Sequence, residues 1–178
     1  MKRKITAFIF IIFVVLLSFS CTGCGKTVRA EDYLSRFAEP FSAVLKVRDG
    51  ETDYTARVAY HADGKFELLF SEPSLLYGVG YSFSGDESYL IYNGMSIPLT
   101  EGKLHEGAAG GVTRWRGALL GAASAIDASA ALSEKDGTGL VTVTMPGCTI
   151  TFDRESRVPL SLESETFKID FEDFAAEQ

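Results

Sequence analysis

Asp49-Gly50, Asp63-Gly64 and Asn93-Gly94 punctuate the first half of this chain, and apolar and polar residues alternate between them. Dipeptides of this kind suit the left-handed backbone positions of tight hairpin turns. Phe41, Ala43, Leu45 and Val47 share one parity, with Ser42 and Lys46 on the other. Tyr54, Ala56, Val58 and Tyr60 repeat the pattern, and Phe66, Leu68 and Phe70 continue it. A period of two, broken by hairpin turns, leaves little choice but a meander of half-buried antiparallel strands.

The remaining segments fit around that meander. Residues 31–38 read as a helix, with Tyr33, Leu34 and Phe37 on one face and Pro40 as its stop. Beyond Pro73, strands are predicted over 79–84, 88–92 and 95–99. Residues 101–111 are glycine-rich and read as a mobile loop. Val112, Trp115, Leu119, Leu120 and Ala123 then recur at helical spacing, with Ile126 extending the stripe. The alanine-rich stretch 122–131 prolongs this helix or forms a second one. Strands return over 140–145, with Val141, Val143 and Met145 on one face, and over 149–153. A short strand follows Pro159 through Leu160 and Leu162, and a last one sets Phe167, Ile169 and Phe171 inward. The fold class is therefore mainly β with helices, α+β.

The N-terminus carries a different message. Lys2, Arg3 and Lys4 precede an apolar run from Ile5 to Leu17, and small and polar residues follow. That order is the layout of a secretory signal. The run falls short of the roughly 20 residues needed to span a bilayer. Residues 20–26 are similar to a bacterial lipobox, in which a cysteine takes a diacylglyceryl group and becomes the first residue of the mature chain. Cys24, preceded by Thr22 and Gly23, is the candidate anchor. Cys21, preceded by Ser20 and bulky Phe19, is its rival. Neither has leucine three residues upstream, so ordinary cleavage and an uncleaved anchor stay open. The organisation is then a signal peptide over 1–23, a tether over 24–30 and one domain over 31–178. Gly25-Lys26-Thr27 matches the end of a phosphate-binding loop, but Ser20 stands where its first glycine belongs and a signal precedes it.

Charge and composition exclude several functions. The chain carries 24 acidic against 17 basic residues, a net charge of −7. Three of the basic residues lie in the signal, so the exported body is more acidic still. Such a surface suits neither nucleic acid, which is bound through basic contacts to phosphate, nor flat adsorption on anionic lipid. Of the three cysteines, only Cys148 lies in the body, so no disulfide framework exists there. Cys148, beside Gly147 in a strand, reads as a small buried hydrophobe. His61, next to a turn, and His105, in the glycine-rich loop, lack metal-ligand spacing. No nucleophile elbow or penicillin-binding motif is present, and no carboxylate pair stands out. No catalytic residue, metal or cofactor is assigned, and the chain is not read as an enzyme. Arg114 and Arg116 flank Trp115; the pattern reads as a core tryptophan with two solvated arginines, against an anion contact with an aromatic anchor.

Two segments carry a family resemblance. Phe66-Glu67-Leu68-Leu69-Phe70-Ser71-Glu72-Pro73-Ser74-Leu75-Leu76-Tyr77-Gly78 is followed by Gly85-Asp86-Glu87-Ser88-Tyr89-Leu90-Ile91-Tyr92-Asn93-Gly94. A strand, a proline with apolar residues, then an aromatic strand resembles the LolA/LolB-type lipoprotein-carrier superfamily. The resemblance implies a curved antiparallel half-barrel sheet, an N-terminal helix and a central helical lid over 112–126. It further implies a non-enzymatic protein that binds lipid or acyl chains, with Phe70, Leu75, Leu76, Trp115, Leu119 and Leu120 as cavity walls. The expected partners are the membrane, through the N-terminal lipid, and an apolar ligand. The alternative is a structural or regulatory lipoprotein with a filled core, docking a cell-envelope or sporulation-related protein through a sheet edge or the 101–111 loop.

Overall fold

In the computed structural model of the chain, the described residues are 29–100, 107–124, 130–135 and 137–176. The expected signal over 1–23, Cys21, Cys24, most of the expected tether, residues 101–106 with His105, and Ile126 lie outside them. A short helix, α1 (Glu31–Leu34), runs into a 3-10 turn over Ser35–Phe37. Six strands follow: β1 (Phe41–Asp49), β2 (Thr52–Tyr60), β3 (Phe66–Glu72), β4 (Val79–Ser84), β5 (Glu87–Tyr92) and β6 (Met95–Pro98). Helix α2 (Gly107–Ser124) comes next, then β7 (Ala131–Lys135), β8 (Leu140–Met145), β9 (Cys148–Asp153), β10 (Pro159–Ser164) and β11 (Phe167–Ala176).

The turns sit where the dipeptides put them. Gly50 and Gly64 have φ of 61° and 82°, and Asn93 and Gly94 both take positive φ, 50° and 77°. Two consecutive left-handed residues make the tight β5–β6 reversal that matches the twist of its strands.

Among the described residues the strands form one open sheet, in the order β6-β5-β4-β3-β2-β1-β11-β10-β9-β8-β7. Every neighbouring pair is antiparallel. Two meanders thus spread outward from the central β1–β11 pair, where Leu45 lies opposite Phe171 and Val47 opposite Ile169. The chain leaves the sheet at one edge, β6, and re-enters at the other, β7. Eleven flat strands at about 4.8 Å spacing would set those edges about 48 Å apart. Helix α2, 18 residues long, covers only about 27 Å at 1.5 Å per residue. The sheet is curved, which shortens the crossing and gives the helix a concave face to lie on.

Burial follows the alternation. Phe41, Ala43, Leu45 and Val47 of β1 are buried, as are Ala56 and Val58 of β2 and Phe66, Leu68 and Phe70 of β3. Val141, Val143, Ile150, Phe152, Leu162, Ile169 and Phe171 complete the same face. The opposite face carries exposed ion pairs, including Lys46–Glu172 at 2.6 Å, Arg48–Asp53 at 2.9 Å and Lys168–Glu163 at 3.0 Å. Exposed pairs of this kind contribute little each; they keep the convex face wet. Under α1, Phe37 packs against Phe41, Phe152, Phe171 and Phe174 with ring centroids 5.8–6.2 Å apart. That aromatic cluster plugs one end of the concave face.

Two expectations are corrected. Residues 107–111 are helical, the first turns of α2, where a loop was expected. Ala109, Gly110 and Gly111 are buried, and a Cβ on Gly111 would stand 3.1 Å from the Trp115 ring and 3.4 Å from the Asp49 carboxylate. These small residues allow close packing of a helix, which composition alone cannot distinguish from looseness. The second correction is β7. Alanine-rich sequence suggested helix as far as residue 131, but Ala131–Lys135 pairs with β8, Leu132 opposite Val143. Edge pairing outweighs a helix propensity worth only tenths of a kcal/mol per residue.

Candidate functional site

The concave face beneath α2 is the place where a ligand could meet this fold. Val112, Trp115, Leu119 and Ala122 form the buried stripe of the helix. Trp115, 1% exposed, packs against Tyr54 at 5.2 Å and Phe70 at 6.2 Å between ring centroids. Its indole Nε1 donates to Asp49 Oδ2 at 3.1 Å. Arg114 Nη2 donates to the same oxygen at 2.6 Å. One carboxylate at the end of β1 thus staples two consecutive helix residues to the sheet.

Asp49→Ala would leave a buried indole N–H and a guanidinium without their acceptor. It is expected to lower stability by about 1–3 kcal/mol. Asp49→Asn keeps an acceptor for Trp115 and should lose less. Urea denaturation of both variants checks the order.

The expected cavity walls divide into three groups. Phe70, Trp115 and Leu119 are buried together and fill the space directly under the helix. Leu76 and Leu120 are half-buried and pack on the margin of that core. Leu75 is 89% exposed and stands on the 3-10 turn Ser74–Leu76. Tyr77 beside it is 73% exposed. This turn projects from the β3–β4 connection, so its leading apolar residue faces outward.

Open apolar space lies on the flank of α2. A groove of about 400 Å³ runs between Gly117, Ala118, Gly121 and Ala122 on the helix and Met145, Pro146, Gly147 and Cys148 of the β8–β9 hairpin, with Phe167 behind. Its size falls within the range of small-molecule pockets. At both Gly117 and Gly121, nothing lies within 4 Å of where a Cβ would be. Each glycine in a helix interior costs about 1 kcal/mol relative to alanine, and here no close contact requires it. Their effect is to keep the groove open. Cys148 is half-buried and free. Burial pushes its thiol above the ordinary range, which suits a small apolar lining residue and not a nucleophile.

On the other flank, the structure corrects the reading of Arg116. Arg114 is exposed and paired, but Arg116 is half-buried, with its guanidinium 4.9 Å from the centroid of the Phe83 ring. Its Nε is sealed from solvent without a hydrogen-bond partner. Its place off the apolar stripe made it look solvated; the Phe83 ring of β4 covers it.

His61 Nε2 lies 3.1 Å from Glu67 Oε2, and Lys65 Nζ lies 2.7 Å from Glu67 Oε1. The hydrogen bond from Lys65, then that from His61, holds the Glu67 carboxyl below its usual range. A carboxyl with a lowered folded-state pKa stabilises the fold above its unfolded value, near pH 4.3, and that contribution is lost as pH falls through the folded value. Glu67→Gln should therefore flatten the acid limb of the melting temperature against pH. Among the described residues no three His, Cys, Asp or Glu side chains are grouped to hold a metal ion.

An open, one-layer antiparallel sheet with a helix laid across its concave face is the class that fold and site define. No family model matches the chain, and no curated protein does. Solved structures do. An uncharacterized conserved protein from Thermus thermophilus aligns over 84% of this chain and 88% of its own, at 14% identity and a TM-score of 0.49. The structure of the Pseudomonas aeruginosa MucA/MucB complex aligns over 84% of this chain and 58% of the matched one, at 15% identity and a TM-score of 0.46. A LolA superfamily protein from Nitrosomonas europaea aligns over 85% and 95%, at 10% identity and a TM-score of 0.38.

Proposed function

We propose that this chain is an extracytoplasmic envelope protein, anchored by a lipid on Cys24, that binds an apolar ligand such as an acyl chain beside α2. The observation that carries the reading is the groove of about 400 Å³ beside two helix glycines against which nothing packs. A helix that only closed a core would gain stability from alanine at both positions. The space directly beneath the helix is filled by Trp115, Phe70 and Leu119, so the ligand lies at the helix flank. The acidic body leaves membrane retention to the anchor.

Gly121→Leu tests this. The leucine fills the groove, and fluorescent fatty-acid uptake by the full chain should fall at least tenfold, about 1.4 kcal/mol. Gly121→Ala should raise the melting temperature. Native mass spectrometry of gently purified protein should find bound lipid in the parent chain and none in Gly121→Leu. A parent chain without lipid or uptake sinks the carrier reading.

A second reading is favoured by the sheet edge. All four residues of β6 are exposed, Met95 and Ile97 among them. An edge strand with free backbone groups can accept a strand from a protein partner. In that case cross-linking in cells would trap one dominant protein through β6, and Gly121→Leu would leave it unchanged.

A further inference from the structure

Arg116 is a half-buried cation without an ion pair, stacked on the Phe83 ring with its Nε sealed from solvent and unpartnered. Five other basic side chains have acids beside them: Lys46 with Glu172, Arg48 with Asp53, Lys65 with Glu67, Arg114 with Asp49 and Lys168 with Glu163. Arg116 has no carboxylate or other hydrogen-bond partner among the described residues. Its surroundings are the face of Phe83 and, as the titratable group whose charge bears on it, Tyr60. Burial lowers its pKa from the ordinary arginine value, a sign that the charged form is poorly solvated there. A half-desolvated guanidinium is unfavourable unless paired, and a buried polar atom without a partner calls for an explanation.

The neighbouring surface supplies one. Along the same concave face, Tyr81 of β4 lies opposite Leu90 of β5, and Leu90 opposite Ile97 of β6. One row further, Val79, Tyr92 and Met95 align in the same way. These rows run from buried beside α2 to exposed at the edge: Tyr81 is 7% exposed and Ile97 46%. An apolar ramp thus leads up to an unpaired cation, in a protein whose net charge is −7.

We infer that the β4–β6 flank of the concave face binds an anionic amphiphile, its carboxylate or phosphate head paired with Arg116 and its chain laid over Leu90 and Ile97. The planar guanidinium fork suits such a head, and the exposed rows suit the chain. This site lies across α2 from the groove of the Gly117–Gly121 flank and does not depend on it.

Photo-cross-linking of the full chain in neutral phosphatidylcholine nanodiscs tests the assignment. The probes are a diazirine-bearing long-chain fatty acid and its methyl ester. The acid should label peptides of β4–β6 at least tenfold more than the ester, and millimolar inorganic phosphate should not compete. Arg116→Met, which keeps the apolar stem without the charge, should abolish the preference for the acid. Arg116→Lys, which keeps the charge without the fork, should weaken labelling and preserve the preference; it also serves if the Met variant does not fold. Equal labelling by acid and ester, or a preference that survives in Arg116→Met, would overturn the inference. Labelling by neither probe would do the same. Displacement by inorganic phosphate would overturn the amphiphile in favour of a free anion. Gly121→Leu should leave this labelling intact, so loss of groove uptake and loss of Arg116-dependent labelling are read separately.

Discussion

Trp115→Ala is expected to lower folding stability by about 3–5 kcal/mol, the range for removing a fully buried aromatic side chain. Three effects add. The indole is 1% exposed, and its packing against Tyr54 and Phe70 is lost outright. The Asp49 carboxylate loses one of its two donors. Helix α2 also loses the centre of its buried stripe, between Val112 and Leu119. Domains are stable by only about 5–15 kcal/mol in total, so the variant should sit near the threshold of unfolding. Trp115→Phe separates the effects, because it retains an aromatic ring while removing the N–H donor; it should recover most of the loss. Chain unfolding by urea, followed by far-ultraviolet circular dichroism, measures both. The parent protein offers a second probe. It has one tryptophan, so fluorescence excited selectively at tryptophan reports on the α2–sheet contact. If Trp115→Ala costs under about 1 kcal/mol, below the usual range for a buried aromatic, α2 is not held by its buried stripe, and the account of the site given above fails with it.

Cys24→Ala is expected to move the protein from the membrane to the soluble extracytoplasmic fraction and to abolish incorporation of labelled palmitate. The physical ground is chain burial: each methylene contributes about 0.8 kcal/mol, and two acyl chains retain a protein where one does so only marginally. An acidic body adds no attraction to anionic lipid. Among the described residues no helix is long and apolar enough to cross a membrane. Cys21→Ala should leave both fractionation and labelling unchanged. The reverse result assigns the anchor to Cys21. Retention without label in the double variant would point instead to an uncleaved apolar segment over residues 5–17.

How far the fold was legible depends on the range of each signal. Hairpins were legible because the turn dipeptide and its flanking alternation are local: Asn93-Gly94 needs only its own two positive φ values. The inward set Phe41, Leu45, Val58, Leu68 and Phe70 was legible for the same reason, since parity along a strand fixes the face. The start of α2 was not. Gly107, Gly110 and Gly111 look like loop residues until Asp49 and the Trp115 ring are seen to need the smallness of Gly111. Nor was β7 legible, because Ala131–Lys135 becomes a strand only against β8. Asp49 announced itself as a turn residue; nothing nearby in the chain shows that its carboxylate meets a helix 65 residues later. The groove was missed because glycine in a helix normally signals weakness, and here it signals space. The exposure of Leu75 was not legible because a hydrophobic residue after a proline carries no mark of which way its turn points.

By itself, the sequence determined that this chain alternates and where it turns tightly. Those properties are set by covalent geometry and near neighbours, within reach of a few bonds. Tertiary structure alone decided that the two meanders join at β1 and β11, that α2 must cross from one edge to the other, and that one flank arginine is half-buried on Phe83 while its neighbour Arg114 is paired in solvent. Such outcomes depend on which distant surfaces meet. The free energy of burying a guanidinium or opening a groove exists only once they have met.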